Sequence, residues 1–155
     1  MTSPLTHAET ALDAETVRRF AVDWYRALDV HAPLNTLLPL MVDDGLELVF
    51  PEGTEHGHAG FARWYERVTR IFFDEQHTVK RAEIVGPVEG TPDRVRVDVV
   101  VNWQAKVWSP PEPRSTWLGF DAHQTWEVVS GAGGRPQVAR YVVDALDPMP
   151  GSASL

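Results

Sequence analysis

Residues 95–104 read VRVDVVVNWQ. Apolar side chains stand at every second position from Val95 to Trp103, and the positions between them are polar except for Val100. This period of two is typical of a β-strand that buries one face and exposes the other. The stretch therefore predicts a long strand in a sheet that is covered on one side.

The chain on either side of this strand carries the same signal. A strand is predicted before it at His77–Val85, and two more after it at Trp117–Val129 and Gln137–Leu146. Stretches rich in glycine and proline separate these strands, at residues 86–92, 109–113 and 130–134. Four strands joined in this way predict an antiparallel succession.

The sequence before residue 77 repeats with a helical period instead. Asp13 suits the N-cap of a first helix ending near Asp29, whose apolar face carries Val17, Phe20, Ala21, Trp24 and Leu28. A second, short and irregular helix is expected to open at Pro33, and a third to span about Ala59–Phe73. Three helices are thus expected ahead of the four strands.

A short strand is predicted between the second and third helices, at Leu46–Phe50, where Pro51 stops it. Gly53 and Gly57 indicate a loop after it. Helices gathered ahead of an antiparallel succession indicate an α+β fold rather than a βαβ fold. We expect a sheet that curls around the helices, because long strands and aromatic side chains occur together along the chain.

Length and composition limit the classes of protein that fit. A chain of 155 residues suits one domain, predicted at residues 13–147, with flexible segments at 1–12 and 148–155. The formal charge of −8 argues against a nucleic-acid partner. Without cysteine, the chain has no disulfide, thiolate nucleophile or cysteine metal ligand. No membrane span or signal pattern is recognisable, so a cytoplasmic protein is expected.

Four short motifs carry a resemblance to a known family. They are WYRALD at 24–29, VDDG at 42–45 ahead of a strand, GHAGFARWY at 57–65 and HTV at 77–79. Through them the chain, from about Leu12 to Asp147, resembles the nuclear transport factor 2-like superfamily and its SnoaL-like domains. The resemblance implies a cystatin-like cone, in which a curved and mostly antiparallel sheet wraps three N-terminal helices and encloses an interior pocket. It also implies a homodimer.

Members of that superfamily perform several reactions, or none. They include polyketide cyclases, ketosteroid isomerase, scytalone dehydratase, limonene epoxide hydrolase and non-catalytic proteins. The isomerase carries its base where this chain has Phe50, just before Pro51. The cyclases carry an aspartate where it has Val143, with Asp144 one place further on. A shift of one residue turns a side chain to the other face of a strand.

Three residues are candidates for proton-transfer chemistry. His77 resembles the pocket histidine of scytalone dehydratase, and imidazole exchanges a proton near neutral pH. Tyr141 could donate to an oxyanion, and Asp144 could act as base or orienter. The structural alternatives are a hydrogen-bonded histidine at a strand end, a packing tyrosine and a surface aspartate.

Large rings are abundant and could shape a cavity for a flat ligand. We expect about half of them to touch the pocket and the rest to form the core. Gln124 shares strand parity with Phe120 and Trp126, so an inward face would bury its amide. The predicted ligand-binding residues are Trp24, Phe50, Trp64, Tyr65, Trp103, Trp117, Gln124 and Trp126.

Two further groups of polar residues allow opposite interpretations. Arg96 and Asp98 match the spacing of an arginine–aspartate pair in the epoxide hydrolase, but they lie on the polar face of the valine strand, where a solvated ion pair is expected. His56 and His58, with Glu52 and Glu55, could be a metal cluster or simply exposed loop residues. We expect the loop and no metal.

The sequence contains no phosphate-binding loop, nucleotide fingerprint or GxSxG elbow, so no cofactor is expected. The leading hypothesis is a cofactor-free enzyme that binds a small, largely apolar, cyclic or polyketide-like molecule. Its chemistry would be cyclisation, isomerisation or dehydration by proton transfer. The alternatives are a module that binds such a molecule without transforming it, and an epoxide hydrolase.

Overall fold

A computed structural model describes residues 12–155, apart from the side chain of Pro92. The N-terminal segment that the sequence predicts to be flexible lies outside the described residues except for Leu12, which packs against the core. Within the described residues, none of the helices combines the length and the hydropathy needed to cross a lipid bilayer.

Three α-helices form close to their predicted positions: α1 at Ala14–Asp29, α2 at Leu34–Leu37 and α3 at Gly57–Ile71. Asp13 caps α1 as predicted, because its Oδ1 accepts the Thr16 N–H at 2.8 Å. Helix α2 continues as a 3₁₀ turn at Leu38–Leu40, which accommodates Pro39 in its first turn. Helix α3 begins two residues earlier than predicted.

Within residues 12–155, one mixed sheet of six strands completes the fold, and it is not closed into a barrel. The strands lie in the spatial order β2-β1-β6-β5-β4-β3, and the four C-terminal ones are antiparallel neighbours as predicted. Strand β1 instead pairs parallel with β6. The bounds are β1 Glu47–Phe50, β2 Gly53–His56, β3 Phe73–Val88, β4 Thr91–Val107, β5 Thr116–Ser130 and β6 Pro136–Pro148.

Strand β2 replaces the loop that the sequence predicts there. It forms a tight hairpin with β1, in which Phe50 faces Gly53 across the turn. Its residues are mostly exposed and polar, so the strand carries no alternating apolar signal. The sequence of β2 alone therefore does not predict a strand, and the hairpin forms through pairing with β1.

The core lies between the inner face of the sheet and helix α1. Val97, Val99 and Val101 of β4 are fully buried, so the period of two marks the covered face as predicted. Trp24 of α1 packs against Trp126 of β5, with ring centroids 5.7 Å apart. Each such ring or aliphatic side chain removes apolar surface from water and stabilises the fold by roughly 1.5–3 kcal/mol. The sheet therefore curls around α1.

The C-terminal segment after Pro148, which the sequence predicts to be flexible, returns to the sheet. Met149 and Ala153 donate backbone N–H groups to the carbonyls of Gly119 and Trp117 at 2.9 and 3.3 Å. Gly119 permits this approach because a Cβ there would come within 2.7 Å of the Met149 sulfur. The returning segment brings Leu155 to the rim of a cavity.

Candidate functional site

A cavity of about 500 Å³ opens between α3, the C-terminal half of α1 and the inner face of the sheet. Its volume lies within the range of small-molecule sites, about 300–1,000 Å³. Aromatic rings form much of its wall, and Phe50 stacks on Trp64 with centroids 4.1 Å apart. Other wall rings are Tyr65, Phe72 and Trp103.

His77 projects from β3 into this cavity and is paired with an aspartate. Its Nδ1 lies 2.5 Å from Asp29 Oδ1, and its backbone N–H donates to Asp29 Oδ2 at 3.0 Å. Its side chain is only 9% exposed. An ionised carboxylate only accepts hydrogen bonds, so Nδ1 carries a proton, and in the neutral ring Nε2 then presents a lone pair. Within the described residues Nε2 has no hydrogen-bond partner.

Aromatic neighbours fix the plane of this imidazole. The Tyr25 ring stacks on it at a centroid distance of 4.6 Å and an interplanar angle of 23°. The Trp103 ring is also stacked with the imidazole, at a centroid distance of 6.2 Å and an interplanar angle of 17°. Two hydrogen bonds to Asp29 and these stacked rings leave the imidazole little freedom to rotate.

A buried polar network adjoins His77 and joins side chains of helix α1 and of strands β5 and β6. Gln124 Oε1 accepts two hydrogen bonds, from Trp126 Nε1 at 2.8 Å and from the Tyr25 hydroxyl at 2.7 Å. Indole N–H is a donor only, so the amide oxygen must face it. A hydrogen bond between Gln124 and Tyr141 also acts on the pKa of Tyr141, and because an amide NH₂ has two N–H donors, one of them can serve a ligand.

The same network sets the direction of the tyrosine protons. The Tyr25 proton is used on Gln124, so Tyr141, 2.9 Å away, donates to the Tyr25 oxygen. Burial raises the pKa of Tyr141 to about 12 and that of Tyr25 well above its ordinary value. Both hydroxyls therefore keep their protons near neutral pH, and Tyr141 can donate to a ligand only after its hydroxyl turns.

A second pair of a histidine and a carboxylate lies along the same strand. Glu75 stands two residues before His77 and also lines the cavity. One of its oxygens lies 2.5 Å from His31 Nε2, and the other accepts the Trp103 Nε1–H at 3.2 Å. The Glu75 side chain is 9% exposed, whereas that of His31 is 32% exposed. This pair connects the cavity wall with solvent.

Of the eleven residues predicted for the site, seven line the cavity. They are Phe50, Trp64, Tyr65, His77, Trp103, Gln124 and Tyr141. Trp24 and Trp126 instead lie in the core, at 1% and 0% exposure. Trp117 is half-buried on the outer face, because the inward residues of β5 are the even-numbered ones. Trp117 stands at an odd-numbered position of β5, so its side chain does not line the cavity.

Asp144 does not reach the cavity either. It is the extra residue of a bulge in β6, since His123 pairs with Ala145 and Gln124 with Val143. The bulge leaves Asp144 exposed, where it accepts the Thr125 hydroxyl at 2.7 Å. Val143 lines the cavity in its place. The last strand therefore supplies no carboxylate to the site.

The two residues on which the epoxide hydrolase hypothesis depends, Arg96 and Asp98, do not line the cavity either. Arg96 is exposed on the outer face of β4. The Asp98 side chain is 48% exposed and pairs with Arg81 at 3.8 Å. Both side chains lie on the polar outer face as expected, but the ion pair of Asp98 is with Arg81 and not with Arg96.

The two histidines predicted to lie in a loop are at the end of β2 (His56) and in the first turn of α3 (His58), where His58 has a structural role. His58 Nε2 lies 2.9 Å from the Met41 carbonyl, and the His58 backbone N–H donates to Asp43 at 2.9 Å. Among residues 12–155, no group of three or more histidine, aspartate and glutamate side chains is arranged to hold a metal ion. His58 serves the start of α3.

Sequence reasoning missed Asp29, Tyr25 and Glu75. Asp29 carried one readable signal, because an acid at the last position of a helix opposes the helix dipole. Such a carboxylate destabilises the helix less when a hydrogen-bond donor from another element binds it. Tyr25 entered the prediction only as part of the WYRALD motif at 24–29, and Glu75 fell in a segment whose strand was predicted to begin only at His77.

Comparison with solved structures places the chain among the nuclear transport factor 2-like folds. A provisionally assigned aromatic ring hydroxylase from Novosphingobium aromaticivorans is similar with a TM-score of 0.71 and 15% identity, over 87% of this chain and 92% of the other. A type 2 hexachlorocyclohexane dehydrochlorinase gives 0.68 and 14%, over 91% of each chain. A ketosteroid isomerase-like protein from Erwinia carotovora atroseptica gives 0.62 and 18%, over 87% and 95%.

These likenesses establish the fold and not the reaction. No family model matches the sequence, and no curated protein matches it. The predicted cone of curved sheet and helices, with its interior pocket, is confirmed.

Proposed function

We propose that this protein binds a small, largely apolar, ring-bearing molecule in its cone and transfers a proton on it, with His77 as general base. One observation carries the proposal: a nearly buried imidazole, held by Asp29 at 2.5 Å through Nδ1, lines an aromatic cavity of about 500 Å³, and within the described residues its Nε2 has no hydrogen-bond partner. A base, its orienting carboxylate and an apolar substrate pocket are the parts that such a reaction needs.

Proton abstraction follows from the tautomer. His77 Nε2 takes a proton from an acidic C–H of the bound molecule, and the ring becomes an imidazolium. Asp29 stabilises that cation through its hydrogen bond to Nδ1. Release of the proton to another atom of the same molecule gives an isomerisation or a cyclisation. If instead a hydroxyl group of the molecule leaves and takes up the proton from the imidazolium, water departs and the reaction is an elimination, a dehydration.

Negative charge that develops on the substrate needs a donor. The amide nitrogen of Gln124 is the donor best suited to this, because its oxygen is already held by Tyr25 and Trp126. Tyr141 is a second donor once its hydroxyl turns from Tyr25. Asp144, which faces solvent, has no part in this mechanism.

A general probe of a base in an aromatic pocket tests the proposal. 5-Nitrobenzisoxazole is flat, and removal of its one acidic C–H proton breaks the N–O bond and gives a coloured phenolate. We expect the protein to accelerate this ring opening over buffer, and His77→Ala to lower the rate by about 100-fold or to background. The matched control is His123→Ala, since His123 pairs with Asp147 on the outer face of the sheet.

Equal rates for the protein, His77→Ala and His123→Ala would overturn the catalytic proposal. Circular dichroism is needed to show that both variants fold.

A binding module without catalysis is the second candidate. It is favoured by Phe50 and Val143, which present apolar side chains to the cavity where the related enzymes named above carry acids. In that case the protein retains affinity for flat aromatic molecules, and His77→Ala changes neither binding nor turnover.

A further inference from the structure

Glu75 lines the cavity with a nearly buried side chain, and the proton-transfer mechanism does not use it. It is 9% exposed, and both carboxylate oxygens are held, one beside His31 and one by the Trp103 indole. Each carboxylate oxygen has two acceptor sites. A free acceptor site therefore remains on each oxygen of a carboxylate that cannot easily turn away.

The cavity offers no inner cation to balance an acidic ligand. Among the described residues that line it, Arg67 is the one arginine or lysine, and it lies at the mouth, 3.6 Å from Glu52. Both of these side chains are nearly half exposed, at 43% and 48%. Their charges are screened by water, whereas that of Glu75 acts in an enclosed space.

Tyr65 responds to this charge. It lines the same cavity, and burial raises its pKa, with the negative charge of Glu75 adding to the rise.

We propose that Glu75 anchors the ligand, by accepting a hydrogen bond from its hydroxyl group, and that it excludes ligands that carry a carboxylate. The preferred class is then a neutral, hydroxylated aromatic or alicyclic molecule. Trp103 supports this choice, since its indole both holds Glu75 and presents a ring face beside His77. The inference rests on the proposed function only in placing the ligand in the same cavity.

Three matched probes test the anchor without any turnover: naphthalene, 2-naphthol and 2-naphthoate. They share one ring system and differ in having no polar group, a neutral hydroxyl or an anionic carboxylate. Equilibrium dialysis near neutral pH gives the three dissociation constants. We expect 2-naphthol to bind about tenfold more tightly than naphthalene, and 2-naphthoate to bind more weakly than either.

The variant Glu75→Gln keeps the size of the side chain and its contacts with Trp103, but removes the charge. We expect it to bind 2-naphthoate at least about fivefold more tightly than the native protein does, with a smaller preference for 2-naphthol. Glu66→Gln is the control, because this exposed acid of α3 is paired with Arg70 at 2.8 Å and does not line the cavity. It should leave the ratio of the two constants unchanged.

The outcomes separate the two proposals. If all three naphthalenes bind the native protein equally, or Glu75→Gln leaves the ratio unchanged, the anchor is wrong while the base mechanism stands. If His77→Ala has no effect on ring opening but the probes bind in the expected order, the base mechanism is wrong while the anchor stands. If Glu75→Gln fails to fold, tight binding of 2-naphthoate to the native protein is by itself enough to overturn the anchor.

Discussion

Asp29 and His77 show how far the site could be predicted at the residue scale. His77 was a candidate from the sequence, because a histidine at the start of a strand is typical of the resembling family. Asp29 was not, since the two residues are 48 positions apart and only the packing of α1 against β3 brings them together. A carboxylate at a helix end is the one local sign that a distant donor exists.

Gln124 is a residue whose orientation the sequence did predict, although its partners were not all predictable. Strand parity predicted that its amide faces inward, and the residue is 5% exposed at the cavity wall. Parity is a property of consecutive residues, so the sequence alone carries it. The partners of the amide, Tyr25 and Trp126, depend on tertiary contacts, of which only the strand neighbour could be anticipated.

The buried tyrosines make stability depend on alkaline pH. The folded pKa of Tyr141 is about 12, against an ordinary value of 10.0 that applies to the unfolded chain. Between these values the unfolded state loses its proton first, so the free energy of unfolding falls as pH rises. For Tyr141 alone the loss is on the order of 1 kcal/mol at about pH 11.

Urea unfolding of the native protein and of Tyr141→Phe, at about pH 8 and about pH 11, measures this contribution. We expect the native protein to lose roughly 1 kcal/mol more than the variant over that interval. Tyr25 remains in both proteins and its pKa is raised as well, so some alkaline loss persists in the variant. Equal losses would show that Tyr141 is not buried as described.

At the scale of elements, the repeating patterns predicted most of the fold. Strands β4 and β5 and helix α1 were recognisable because their apolar periods extend over many residues. Strand β2 was not, because four exposed residues carry no period. The bulge at Asp144 was equally hidden, since it is defined by the register between β5 and β6 and not by either strand alone.

The start of α3 gives a prediction at this scale. Asp43 Oδ1 accepts the backbone N–H of His58 at 2.9 Å, which satisfies one of the free donors of the helix N-terminus. We expect Asp43→Ala to lower the free energy of unfolding by about 1 kcal/mol and the melting temperature by about 2–4 °C. Asp44→Ala is the matched control, because the neighbouring acid is exposed and makes no side-chain hydrogen bond in the described part of the chain.

Differential scanning calorimetry of the native protein and the two variants measures both shifts. A loss as large in Asp44→Ala as in Asp43→Ala would assign the effect to the charge of the turn and not to the cap.

At the scale of the whole molecule, the cone results from a long antiparallel sheet that curls around an aromatic helix. The aromatic content predicted a cavity, but which rings line it depends on the curvature of the sheet. Curvature places Trp64 and Trp103 at the wall and Trp24 and Trp126 in the core, although all four are tryptophans on predicted elements. The homodimer that the resemblance implies stays a prediction.

The central claim is that Asp29 holds the neutral His77 ring with its proton on Nδ1, so that Nε2 is the base. Two-bond ¹H–¹⁵N correlation spectra distinguish the two neutral tautomers, and His77→Gln assigns the signals. In the native protein we expect the Nδ1–H form. Asp29→Asn leaves one amide oxygen for two donors, the backbone N–H and Nδ1–H of His77.

That oxygen should keep the backbone N–H, and the amide NH₂ should then donate to Nδ1, which moves the ring proton to Nε2. A change from the Nδ1–H form in the native protein to the Nε2–H form in Asp29→Asn is therefore the predicted result. An Nε2–H ring in the native protein would contradict the account, because the nitrogen that faces the cavity would then carry a proton and could not act as the base.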